Sequence, residues 1–325
     1  MARSKAASEY VCQTCAATFP KWEGQCRSCG AWNSLVETLI SPSERRAGVR
    51  ARATLPAAAE PRPLGSLGAE RVARRRTGIE EVDRLLGGGL VPGSVLLLGG
   101  EPGIGKSTLV LQLAGALAAT AAVAHPEARV LYASAEESGS QLHLRAERLG
   151  LVGGPADGAL RVLAGTDVAA IITAASADPP ALLVVDSIQT VEVDGLDGPP
   201  GSVGQVRESA QQLGAFAREA GVPVLLVGHV TKDGTLAGPR TLEHLVDAVL
   251  MLEGDRYGSL RLLRALKNRH GSTEEVGVME MTASGLHEVQ DTAAAFLGSG
   301  QREAPGVAVA AILEGSRPLL VEVQA

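Results

Sequence analysis

Gly100-Glu101-Pro102-Gly103-Ile104-Gly105-Lys106-Ser107 fits the pattern G-x-x-x-x-G-K-[ST], and its flanks decide the fold. The apolar run 95–98 enters it as a buried strand would, and the alanine-rich stretch 108–119 leaves it as a helix would. Strand, glycine loop and helix in that order make a phosphate cradle. Gly103 and Gly105 let backbone N–H groups turn inward around an anion, and the helix start adds its positive end. Lys106 is expected to reach the β- and γ-phosphates of ATP, and Ser107 to hold Mg²⁺. A glycine-rich turn before an ordinary helix is the alternative, and both flanks weigh against it.

Short apolar runs then alternate with helical stretches from Thr77 to about residue 290. Strands are expected at 95–98, 130–134, 182–185, 222–227 and 248–252, with edge strands near 260–266 and 276–281. Val206, Ala210, Leu213 and Ala217 recur at helical spacing within 204–220. Continuous apolar strands between helices predict an α/β fold with a mostly parallel sheet covered on both faces.

The later strands carry further chemistry. Asp186 closes the run Leu182-Leu183-Val184-Val185 and is positioned to hold Mg²⁺. Glu136 and Glu137 follow the strand 130–134, at the end of a sheet where such folds bind ligands. Glu136 is the better candidate for orienting and polarising water, because Glu137-Ser138 would open the next helix, where Glu137 supplies a favourable charge. His229, past the strand 222–227, could sense the γ-phosphate or be a hydrogen-bonded core histidine. Lys267 and Arg269 lie two apart at a strand end, so they are expected to project together. They could stabilise phosphoryl-transfer charge or form a solvated basic turn.

At the other end of the chain, Cys12-x2-Cys15 and Cys26-x2-Cys29 are all four cysteines of the protein. Two paired-thiolate knuckles suit tetrahedral zinc, with two disulfides as the alternative. Tyr10, Phe19, Trp22 and Trp32 crowd into the same module, residues 10–37, where metal and aromatic packing are expected to replace a full core. Residues 38–76 read as a linker. Within it 41–76 hold nine Arg against three Glu, a charge able to meet nucleic-acid phosphate, or a solvated tether. Net charge over the 325 residues is −6, which excludes a generally cationic nucleic-acid binder. No apolar run reaches the length of a membrane span and no signal peptide opens the chain, so a cytoplasmic protein without membrane contact is expected.

Taken in order, the four-Cys knuckles, the segment Thr77-Gly78-Ile79-Glu80-Glu81-Val82-Asp83-Arg84-Leu85-Leu86-Gly87-Gly88-Gly89, the phosphate loop, Gly228-His229-Val230-Thr231-Lys232 and Lys267-Asn268-Arg269-His270-Gly271 resemble the RadA (Sms) family of bacterial DNA-repair proteins. These are ATPases of the RecA superfamily. The resemblance runs from Tyr10 to the end of the chain. It implies a RecA-like core over residues 77–290 and a hexameric ring with nucleotide between neighbours. The implied activity is a DNA-dependent ATPase moving on single-stranded DNA, promoting branch migration of recombination intermediates together with the RecA recombinase. Carried over by residue, Gly100, Glu101, Pro102, Gly103, Ile104, Gly105, Lys106, Ser107 and Thr108 bind nucleotide, and Ser107 and Asp186 hold Mg²⁺. Glu136 activates water, and Lys267 and Arg269 act on a neighbour's nucleotide or on DNA coupling.

Segments 195–207 and 232–240 match loops facing the ring channel, where Arg207, Lys232 and Arg240 would track DNA phosphates. His270 stands where the family has Phe. Residues 300–325 resemble the start of a C-terminal domain similar to the proteolytic domain of Lon proteases. Only its opening strands are expected, with apolar edges exposed and no Ser–Lys catalytic pair. Two other classes share part of the pattern: a KaiC-like signalling ATPase and a non-enzymatic zinc adaptor.

Overall fold

The structure is a computed structural model, and it describes residues 7–15, 17–40, 73–124, 128–229, 241–254, 258–291, 307–314 and 317–324. Its centre is a nine-stranded sheet of order β12-β11-β10-β9-β4-β8-β7-β5-β6. The strands are β4 (Val95–Gly100), β5 (Val130–Ser134), β6 (Leu160–Ala164), β7 (Leu182–Asp186), β8 (Val224–Val227), β9 (Ala248–Glu253), β10 (Leu260–Asn268), β11 (Val276–Thr282) and β12 (Gly285–Glu288). From β9 to β6 neighbouring strands run parallel, and β10, β11 and β12 close one edge as an antiparallel meander.

Every residue of β4, β7 and β8 is buried, as their unbroken apolar runs require. Because successive side chains on a strand point to opposite faces, each strand feeds two cores. Leu96, Leu98, Leu182, Val184, Leu225 and Val227 face one side, with α1 (Glu80–Leu85), α2 (Lys106–Ala124) and α3 (Gly139–Arg148). Val95, Leu97, Leu183, Val185, Val224 and Leu226 face the other, with α4 (Val168–Ala177), α5 (Val203–Ala220) and α6 (Thr241–Leu245). The result is a three-layer α/β architecture, as the alternating pattern predicts.

One strand starts later than expected, and another was not expected, for local reasons. β8 begins at Val224, because Pro223 has no N–H to give the ladder. β6, Leu160-Arg161-Val162-Leu163-Ala164, is an edge strand whose residues are partly or fully exposed, and Arg161 interrupts its apolar run.

The glycine-ended segment 77–89 wraps α1. Asp83 Oδ1 accepts from Thr77 N at 2.8 Å and fixes the turn into the helix. At Gly89, with φ +122°, a Cβ would lie 2.4 Å from the Arg75 carbonyl oxygen, so only glycine allows the isolated bridge between Arg75 and Leu90 to form beside it. Glu81 is the hub of this region. Its carboxylate takes Arg84 at 2.6 Å and Arg317 at 2.7 Å, which ties α1 to the C-terminal hairpin.

That hairpin pairs β13 (Val307–Glu314) with β14 (Arg317–Gln324) as a separate two-stranded sheet. Val309, Ile312, Leu313 and Val323 are exposed on it. A third, three-stranded sheet, β2-β1-β3, builds the cysteine module from β1 (Ala7–Cys12), β2 (Thr18–Phe19) and β3 (Leu35–Ile40). Residues 41–72 of the linker lie outside the described residues.

Candidate nucleotide and metal sites

The strand order β4-β8-β7-β5 sets four parallel C-terminal ends side by side. These ends carry, in turn, the phosphate loop, His229, Asp186 and Glu136. In the loop, Gly105 has φ +113°, and a Cβ there would meet Met281 Cε at 2.4 Å, so β11 packs directly on the cradle. Lys106 is only 4% exposed. Its Nζ donates to the Gly100 and Glu101 carbonyls at 2.9 and 3.0 Å. Burial lowers its pKa, and the charges of Asp186 and Glu136 oppose that shift. The ammonium therefore already faces the two acids of the site.

Asp186 is buried at the end of β7. Its Oδ2 accepts from the Tyr132 hydroxyl at 2.6 Å, and its Oδ1 has no hydrogen-bond partner. Burial raises its pKa, against the pull of Tyr132 and of the Ser107 hydroxyl. A buried carboxylate with a vacant oxygen beside a helix-start serine fits a divalent cation, which would relieve the cost of burying the charge. Burial and Asp186 push the Tyr132 pKa well up, so the phenol stays a neutral donor.

Glu136 lies across the site. Its Oε1 accepts from Ser187 Oγ and pairs with His229 Nε2 at 2.8 Å. His229 is the first cause of its lowered pKa, with Ser187 adding to the effect against burial, so the carboxylate is ionised and held in place. Glu137 does not lie in the first helical turn. Ser138 is the N-cap of α3, in a reciprocal pair with Gln141, and Glu137 is bound to Arg145 one position earlier.

Lys267 and Arg269 sit at the other end of the sheet. Lys267 pairs with Val249 at the start of β9, far along the strands from the loop that follows β4. A β-bulge separates Ala265 from Lys267, and Arg269 lies beyond the strand, so simple strand alternation does not govern the pair. Lys267 Nζ caps α6 through the Glu243 and Val246 carbonyls at 2.5 and 2.8 Å. Arg269 pairs with Asp247 at 3.1 Å and is half exposed. From this position neither cation serves its own chain's phosphate loop. His270 is exposed, with its N–H donated to Asn268 Oδ1.

Of the channel candidates, Arg207 is exposed near the start of α5, whereas Lys232 and Arg240 lie outside the described residues. Sequence reasoning missed the anchor of the loop before Arg207. Gln205 is 2% exposed. Its Oε1 accepts from Val193 N at 2.8 Å, and its Nε2 donates to Leu196 O at 2.9 Å. Replacing Gln205 by alanine orphans those backbone groups, at a cost of about 1–3 kcal/mol. Amide exchange at Val193 is expected to rise at least tenfold; unchanged exchange would show that the loop holds without it.

In the cysteine module the two knuckles are near copies. Cys12 N donates to Ala17 O at 3.0 Å, and Cys26 N to Ala31 O at 2.8 Å. Cys12 and Cys29 sulfurs are 3.7 Å apart, and those of Cys15 and Cys26 3.6 Å, with all four within 4.8 Å of one another. A disulfide needs about 2 Å. A tetrahedron of thiolates about 2.3 Å from a metal has edges of about 3.8 Å, which these spacings match. The cysteines are free, so the disulfide alternative fails and the cluster fits a metal ion. The remaining core is small: Leu35 with Tyr10, Ala17 and Phe19 packed around the sulfurs. Trp22 and Trp32 do not join it, contrary to the expected four-aromatic packing. Chelating the metal should therefore unfold residues 7–40 and leave the nine-stranded sheet intact. Amide protection in the two regions after chelation checks this; protection retained in 7–40 would contradict it.

A buried lysine in a glycine loop, a strand-end aspartate and a hydrogen-bonded glutamate at one end of a parallel sheet are the features of a RecA-like P-loop ATPase fold. Family comparison agrees: a family described as AAA domain matches residues 60–235, and one described as a rubredoxin metal binding domain matches residues 10–37. The chain belongs to the RadA family of DNA repair proteins. It is 49% identical to DNA repair protein RadA of Pseudomonas aeruginosa, over 99% of this chain and 68% of that protein. The RadA proteins of Bacillus subtilis and Escherichia coli are 45% and 44% identical, over 100% and 97% of this chain and 68% and 67% of theirs. Among solved structures, a KaiC-like protein from Pyrococcus horikoshii OT3 shares the fold with TM-score 0.53 and 21% identity, covering 67% of this chain and 99% of that one. The RadB recombinase does so with TM-score 0.50 and 23% identity, covering 66% and 100%. Among the described residues no helix is long and apolar enough to cross a membrane.

Proposed function

We propose that the chain hydrolyses ATP to move on single-stranded DNA during recombinational repair, as a ring that promotes branch migration with the RecA recombinase. The observation that supports this best is the gathering of Lys106, Asp186 and Glu136 at one end of the parallel sheet. Lys106 would exchange its two carbonyl partners for phosphate oxygens, with the amides of 100–107 around them. Ser107 and Asp186 would hold Mg²⁺, which when bound spreads the charge of the phosphates. Glu136 would orient water and accept its proton, and His229, on the same carboxylate oxygen, would report the γ-phosphate.

Lys267 and Arg269, turned away from their own phosphate loop, support a role at a neighbour's nucleotide, and so a hexameric ring. Arg207, Lys232 and Arg240 are assigned to DNA phosphates in the channel. The four cysteines are assigned to zinc, one ion per chain. Residues 10–37, 38–76 and 77–290 are read as zinc module, linker and ATPase domain, with 300–325 the start of a Lon-like domain.

The RadA relatives, with their shared name of DNA repair protein, favour this reading over a KaiC-like signalling ATPase or an adaptor. The solved structures bear on fold alone. Native mass spectrometry with an ATP analogue and single-stranded DNA tests the assembly. Six chains with one zinc each are expected; a monomer under those conditions would sink the ring.

A further inference from the structure

The chain has 2 tryptophans, and both stand on the surface of the cysteine module: Trp22 is 55% and Trp32 71% exposed. Tyr10 and Phe19 of the same module pack against the sulfurs, whereas the two indoles stay outside that core. They converge on Gly24. A Cβ there would lie 3.8 Å from Trp32 Cζ3 and 3.9 Å from Trp22 Cη2, so the six-membered rings of both indoles reach one residue that has no side chain.

The frame beneath them is hydrogen-bonded. Trp32 bridges Gln25, Asn33 N donates to Gly24 O at 2.8 Å, and Gln25 Nε2 donates to Gly30 O at 2.8 Å, all next to metal ligand Cys26. Around the rings the surface is polar: Lys21, Gln25, Arg27, Ser28 and Asn33 are exposed, with Arg27 paired to Glu23 at 2.7 Å. The next stretch of chain, 41–76, carries nine Arg against three Glu.

We propose that Trp22 and Trp32 form a stacking platform for unpaired bases of single-stranded DNA, separate from the ring channel. Flat rings on a polar surface suit bases, since every base has a π-face and the phosphates that accompany it need cations. Exposed Lys21 and the nine Arg of 41–76 supply cations for those phosphates. The proposal takes its ligand class from the function proposed above, but needs neither ATP nor assembly.

Because these are the only tryptophans, emission from the full metal-loaded chain reports this site alone. Titration with a thymidine oligonucleotide, with binding followed in parallel by anisotropy of the labelled DNA, should quench that emission as DNA binds. Inorganic polyphosphate, which has charge but no bases, should leave it unchanged. Trp22→Ala and Trp32→Ala should each weaken DNA binding about fivefold or more with metal content unchanged, and phenylalanine at either position should restore part of the loss. DNA bound with emission unchanged overturns the platform and leaves the ATPase reading standing. Equal quenching by polyphosphate, or alanine variants that keep metal and bind like the parent, also overturns it. If no DNA binds at all, this proposal and the polynucleotide reading fall together.

Discussion

Lys106→Ala is expected to abolish ATP binding and, with it, every ATP-dependent activity. Lys106 is buried, and its ammonium is the cation of the cradle that faces both Asp186 and Glu136. Charge-assisted hydrogen bonds to phosphate contribute about 1.5–3 kcal/mol each, so losing two should lower affinity by about 100-fold or more. The change also strips the Gly100 and Glu101 carbonyls of their donor, so the fold needs its own control. Thermal unfolding without nucleotide supplies it. A fluorescent ATP analogue then reads affinity in a variant shown to be folded. Binding within about threefold of the parent would mean that the amides alone hold the triphosphate.

Glu136→Gln is expected to separate binding from chemistry. Glutamine can still accept from Ser187 and meet His229 at the same oxygen, so the shape of the site survives. It cannot take a proton from water. General-base catalysis contributes roughly 10²–10⁴-fold, so turnover should fall by that factor with ATP affinity nearly unchanged. Single-turnover hydrolysis beside equilibrium binding measures both. Turnover within about threefold of the parent would remove Glu136 from the mechanism and leave it as a partner of His229.

The parts of this protein that the sequence reveals are those where one local pattern implies one structure. The glycine loop, the buried runs of β4 and β7 and the two cysteine knuckles are of that kind, because backbone conformation, burial and metal geometry each demand particular residues at fixed spacing. Contacts made only by the fold were not legible. Tyr132 holds Asp186 because register pairs Ser134 with Asp186 across β5 and β7. His229 reaches Glu136 from another strand end. Strand alternation projects Lys267 beside Arg269, but a bulge redirects it onto the end of α6.

Other misses had a signal. Ser138-Gly139-Ser140-Gln141 is a capping-box pattern that moves the start of α3 past Glu137. Gln205, a polar residue among the apolar positions of α5, marked a buried group in need of partners. The edge strand β6 has a weaker mark, since Arg161 leaves only Val162-Leu163-Ala164 as an unbroken apolar run.

Steady-state ATP hydrolysis by the full chain with Mg²⁺, measured with and without single-stranded DNA, tests the central claim most directly. The account predicts turnover that depends on Lys106 and Glu136 and rises when single-stranded DNA is added. No turnover, or the same turnover whether or not DNA is present, would contradict it.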